Sequence, residues 1–114
     1  MYSLPGLLRT KGVPFCTQGT QTGSGTTILI PAVVGQTIVV VNATITIIAT
    51  VGSCSIGDTL SNKVLVCDGG LTNSQFRVRN VAGIRMGLGL RLQLQIGGGG
   101  TAHCVVDGYL IGPF

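Results

Sequence analysis

The sequence predicts an all-β protein, an antiparallel β-sandwich or jelly roll with an extended N-terminal arm. Three observations predict it. Apolar and polar residues alternate with a period of two in segment after segment. No stretch carries the spacing of an amphipathic helix. Turn residues recur between short strands at the roughly 8–12-residue interval expected of sandwiches. The 114 residues fit one domain, read here as an arm over 1–26 and a sandwich body over 27–114.

The arm contains LLRTKGVPF and then TQGTQTGSGTT, a Gly/Thr/Gln/Ser stretch without hydropathic periodicity. TTILIP (26–31) is the first expected strand, ended by Pro31. QTIVVVN (36–42) and ATITIIATV (43–51) follow, the second placing Ile45 and Ile47 on one face and Thr44, Thr46 and Thr50 on the other. VGSCSIGD (51–58) reads as a turn-rich link, and KVLVC (63–67) as a short apolar strand. Asp68-Gly69 is a hairpin signal. QFRVRNV (75–81) alternates, and Asn80–Gly83 reads as a turn.

GIRMGLGLRLQLQIGGGG (83–100) has the strictest ladder. Ile84, Met86, Leu88, Leu90, Leu92, Leu94 and Ile96 hold every even position. Thirteen extended residues would span roughly 43 Å, against about 17–20 Å for a typical strand. Gly87 and Gly89 are therefore expected to bend the chain around a sandwich corner, with one face staying apolar throughout. The four glycines 97–100 are expected to join the ladder to TAHCVVDGYLI (101–111) as a hairpin.

Only 9% of the residues are charged, against about 25% in ordinary soluble proteins. The net charge is +4, with scattered basic residues and few aromatics, so a nucleic-acid partner is not expected. Residues 28–51 are long enough to span a bilayer as a helix, but Pro31, Gly35, Gln36 and Asn42 interrupt them and β-branched residues dominate. A membrane partner is not expected either. The N-terminus lacks the apolar run of a signal peptide. Little ionic surface and much Thr, Gln, Gly and Ile mean that other protein covers part of the body. A cyclic homo-oligomer, a trimer by preference, would supply that cover.

Catalytic constellations are not expected. His103 is the single histidine, and its neighbour Cys104 points to the opposite face of a strand. The acids are Asp58, Asp68 and Asp107, with no Glu, and all three stand in turn-like sequence or beside Gly. Cys16, Cys54, Cys67 and Cys104 form no CxxC pair, so reduced structural thiols are expected, no metal and no cofactor. Arg77 and Arg79 share one face, as do Arg85 and Arg91. If the two strands pair, four guanidiniums line a sheet face as a solvated surface or a contact for an acidic partner.

The Gly/Thr-rich arm, the Thr/Ile/Val strands, the low charge and the terminal HCVVDGYLIGPF resemble small β-sandwich virion proteins of tailed bacteriophages, including decoration or cement proteins that trimerise on capsid shells. The resemblance implies no catalysis, a place on the virion, and the major capsid protein or another virion protein as partner. It also implies an arm over residues 4–15 laid along the shell, with Leu7, Leu8, Arg9 and Lys11 as contacts. The cysteines and scarce acids depart from that pattern. The competing reading is a carbohydrate- or receptor-binding module such as a tail-fibre tip, which would need exposed aromatics. A minor membrane-associated protein is the third.

Overall fold

The structure is a computed structural model and describes residues 12–71 and 73–112. Among them are eight strands: β1 (Val13–Thr22), β2 (Gly25–Ile30), β3 (Thr37–Ala49), β4 (Val51–Gly57), β5 (Lys63–Leu71), β6 (Ser74–Arg85), β7 (Leu92–Gly97) and β8 (Thr101–Ile111). They form two four-stranded antiparallel sheets, one ordered β1-β8-β3-β6 and the other β2-β7-β4-β5. Successive strands cross between the sheets everywhere except β4 to β5. This is jelly-roll connectivity, with each sheet built from strands distant in sequence.

The core lies between the sheets. Ile38, Val40, Ala43, Ile45 and Ile47 of β3 and Ala102, Cys104 and Val106 of β8 face Val51, Cys54 and Ile56 of β4 and Leu92, Leu94 and Ile96 of β7. Alternation does the sorting. Thr44 and Thr46 project outward beside Ile45 and Ile47, as the period of two requires.

Several expected elements differ. Residues 13–22, assigned to the arm, pair with β8 along their whole length. Phe15, Thr17, Gly19 and Gln21 are half-buried while their neighbours are exposed. The alternation is real but runs through small and polar side chains, so hydropathy does not reveal it. β3 is one strand across Asn42-Ala43, with a bulge between Val40 and Asn42. Opposite that bulge, Asn80–Gly83 is surplus chain within β6 and not a turn. Residues 51–57 are a strand, not a link, with Cys54 and Ile56 buried and the small Ser53 and Ser55 on the other side.

The long ladder is two strands. β6 ends at Arg85 in the first sheet, and β7 begins at Leu92 in the second. The bend at Gly87 and Gly89 is thus the corner, but the apolar face does not survive it, since Leu88 points to solvent. The hairpin expected at Gly97–Gly100 does not form, because those glycines join strands of opposite sheets, and Asp68-Gly69 makes no turn because it lies within β5. Gly97, Gly98 and Gly100 serve close approach instead. Gly100 has φ +89, and a Cβ there would strike the Thr50 carbonyl. Among the described residues, no helix is long and apolar enough to cross a membrane.

Candidate functional site

The outer face of the first sheet carries the polar groups expected to make contacts. The register sets them in rows across β6, β3, β8 and β1. One row is Arg79, Asn42, Asp107 and Cys16; the next is Arg77, Thr44, Val105 and Gln18; beyond it lie Gln75, Thr46, His103 and Thr20. Cross-strand hydrogen bonds tie them. Asn42 Nδ2 donates to Asp107 Oδ1 at 3.0 Å, Thr20 Oγ1 and His103 Nδ1 share a bond of 2.7 Å, and Gln75 Nε2 donates to Thr46 Oγ1 at 3.3 Å. His103 and Asp107 are thus each engaged by a neighbouring strand.

Arg77, Arg79 and Arg85 all stand exposed on β6, the edge strand of that sheet. The expected pairing of their strand with the rest of the ladder does not occur. Arg91 lies after the corner, at the start of the other sheet, where its Nε donates to Gln93 Oε1 at 2.9 Å. The structure therefore groups three of the four arginines. Leu7, Leu8, Arg9 and Lys11 lie outside the described residues.

Asp58 was read from sequence as a turn former, and it is more than that. It is fully buried at the β4–β5 hairpin. Its Oδ1 accepts from Leu60 N at 2.8 Å and Asn62 N at 3.2 Å; its Oδ2 accepts from Asn62 Nδ2 and Gly87 N, both at 2.8 Å. Burial alone would raise its pKa, but the bonds from Asn62, Gly87 and Leu60 outweigh it and hold the carboxyl below its usual value. One carboxylate thereby pins the hairpin to the β6–β7 corner. Gly57 before it and Asn62 four residues on are the only sequence hint.

Cys54 and Cys67 are cross-strand partners facing the core, with Cys104 on the opposite sheet. Burial, then the neighbouring Cys67 and Cys104, push the Cys54 thiol up to about 12. Burial pushes Cys104 up to about 11 against a bond from Gly19. Such thiols are poor nucleophiles and poor ligands. Cys16 alone of the four is exposed. No group of side chains among the described residues could hold a metal ion. A depression of about 250 Å³ on the second sheet is lined by Ser53, Cys54, Ser55, Lys63, Val66, Gln95 and Gly97. Its lining is mostly polar, without the apolar enclosure of a small-molecule pocket.

The described aromatics serve the fold. Phe15 and Phe76 pack against the core, and Tyr109 lies in register with the buried Val39.

No family model and no curated protein matches the sequence. Among solved structures the chain is similar to one in the acidic stable capsid structure of Helicobacter pylori bacteriophage KHP30, with TM-score 0.59 and 13% identity over 88% of this chain and 87% of that one. It is also similar to one in the capsid asymmetric unit of cyanophage Pam1, with TM-score 0.52 and 14% identity over 87% of this chain and 86% of that one. The likeness is one of fold, and it runs through nearly the whole of each chain.

Proposed function

We propose that this chain is a structural protein of a phage virion, a capsid decoration or cement protein that binds an assembled shell and stabilises it. The observation that carries the reading is the near end-to-end match to chains of the same size within two phage capsid structures. The match covers almost equal shares of both partners, so each neighbour has the dimensions of this jelly roll.

The charge ledger supports the same reading. Of the three acids, Asp58 is buried with its oxygens occupied, and Asp107 is held by Asn42. Among the described side chains, no carboxylate is shown paired with the arginines of β6. A partner rich in surface carboxylates would accept them as forked pairs. That partner is the major capsid protein or another virion protein. The self-association expected from the sequence is a trimer. The stabilising effect is linkage: a protein that binds only the assembled shell lowers the free energy of that state by mass action. The carbohydrate-binding alternative draws no support from the described aromatics.

The test is a pelleting assay. Purified chain is mixed with phage particles stripped of it and sedimented through sucrose. The wild type is expected to pellet with particles at low salt and to be released as salt rises. The variant R77E/R79E/R85E, altered only at exposed positions, is expected to bind at least tenfold more weakly with unchanged melting temperature. Equal pelleting by wild type and variant would remove the arginine contact. No pelleting by the wild type would remove the shell-binding role.

A further inference from the structure

The buried thiols take no part in the contacts proposed above, yet two of them stand directly opposite each other. The register pairs Cys54 of β4 with Cys67 of β5. Register partners on antiparallel strands carry their side chains on the same face of the sheet. Here that face is the core, with Cys54 1% exposed and Cys67 5% exposed. The pairs Ser53–Asp68 and Ser55–Val66 hold the register on either side.

Geometry singles out this pair among the four cysteines. A disulfide needs Cα atoms about 4.4–6.8 Å apart. Opposed residues of an antiparallel ladder lie about 4.5 or 5.5 Å apart, according to whether the pair exchanges backbone hydrogen bonds. Both values fall inside the window. Cys104 belongs to β8 in the other sheet. Facing sheets stand about 10 Å apart, beyond the reach of a disulfide without backbone movement. Cys16 is exposed on β1, in register with Asp107.

We propose that Cys54 and Cys67 form an oxidative cross-linking site, a dithiol in a reducing medium and a disulfide once a small peroxide reaches them. The depression on the second sheet supplies the route, because Cys54 lines it together with Ser53, Ser55 and Gln95. Hydrogen peroxide is little larger than water and enters where a bulky thiol reagent does not. The Cys54 thiolate attacks one peroxide oxygen. The O–O bond breaks, the sulfur becomes a sulfenic acid, and the departing hydroxide takes the thiol proton as water. The Cys67 sulfur then attacks the sulfenic sulfur. An S–S bond forms, the S–O bond breaks, and the hydroxyl leaves with the Cys67 proton as a second water. Two thiols are oxidised and one peroxide is reduced. Burial keeps the Cys54 thiol protonated up to about pH 12, so the step is slow at neutral pH and quickens as pH rises.

The bond fastens β5, the edge strand of its sheet, to the interior strand β4. It closes residues 54–67 into a loop, which restricts the unfolded chain and stabilises the fold. The inference rests on register and burial and does not use the virion reading.

The test uses Cys16→Ser, which removes the exposed thiol and leaves Cys54, Cys67 and Cys104. The folded protein is held with hydrogen peroxide between about pH 7 and 9, quenched with catalase, unfolded in an alkylating agent and weighed. The expected product has lost about two mass units and alkylates at one thiol instead of three, and a reductant reverses both. Its rate of formation should rise about tenfold per pH unit. Trypsin cuts after Lys63 and Arg77, so the bond should join peptide 12–63 to peptide 64–77 and leave the Cys104 peptide, 92–114, unlinked. The oxidised form should melt about 10 °C above the reduced form. C16S/C104S, which keeps only the proposed pair, is expected to behave alike. Three alkylated thiols after oxidation at the upper pH, a link to the Cys104 peptide, or added oxygen without a cross-link would overturn the proposal.

Discussion

Replacing Asp58 by Ala removes the acceptor for four hydrogen bonds, those of Leu60 N, Asn62 N, Asn62 Nδ2 and Gly87 N. A bond to a charged acceptor contributes about 1.5–3 kcal/mol in a buried setting. Leu60 and Asn62 are exposed residues whose donors regain water once the carboxylate is gone, whereas Gly87 N sits in the half-buried corner. The expected loss is therefore about 3 kcal/mol, well below the sum of four bonds. For a domain of this size it lowers Tm by about 12 °C. Asp58→Asn should lose a comparable amount. The amide replaces one oxygen with a donor that faces either Gly87 N and Asn62 Nδ2 or the two hairpin amides. Urea unfolding followed by circular dichroism measures both, with an unchanged m-value expected. The pH dependence supplies a second reading of the same variants. The folded carboxyl titrates below its unfolded value of about 3.9, so its stabilisation is complete above that value. It disappears as pH falls through the depressed folded value. The stability gap between wild type and Asp58→Asn should therefore be constant near neutrality and close only below about pH 4. A loss under 1 kcal/mol, or a gap that ignores acid pH, would refute the reasoning.

Three further outcomes follow from the packing. Gly108→Ala should destabilise by about 1–3 kcal/mol, because an added Cβ would run into the Val39 carbonyl at the bulge of β3; urea unfolding measures it. Gly99→Ala, which meets nothing within 4 Å but has φ +81, should cost only about 1 kcal/mol. Titration of the native protein with a thiol reagent at pH 8 should show one fast-reacting group, Cys16, with the remaining three reacting only after unfolding. Rapid labelling of Cys54 or Cys104 would contradict their burial and their raised pKa values.

The β-sandwich was legible because strand alternation survives translation into hydropathy wherever Ile and Val alternate with Thr, as at Thr44–Ile47. It was invisible where the alternating residues are all small or polar. Thr17, Gly19 and Gln21 face inward on β1, and Ser53 and Ser55 flank Cys54 on β4, so both strands were missed. Sheet membership was not legible at all. A glycine run signals a reversal of direction, but a turn within a sheet and a crossing between sheets demand the same backbone freedom, and Asp68-Gly69 lies within β5 and makes neither. That ambiguity misplaced Arg91 beside Arg77, Arg79 and Arg85. Only the tertiary corner at Gly87–Gly89 separates it from them. Asp58 was legible as a turn residue, yet its partner Gly87 lies 29 residues away and no local pattern announces the bond. Leu88 was misread for a related reason: as an even position of the ladder it was expected on the apolar face, and only the corner turns it outward.

The most direct measurement is quantitative mass spectrometry of gradient-purified phage particles from a lysate expressing this chain. The account predicts peptides from residues 13–112 in the particle band, at a fixed copy ratio to the shell protein that persists through low-salt washing and falls on high-salt washing. Peptides confined to the soluble fraction, with none in the particle band, would contradict it.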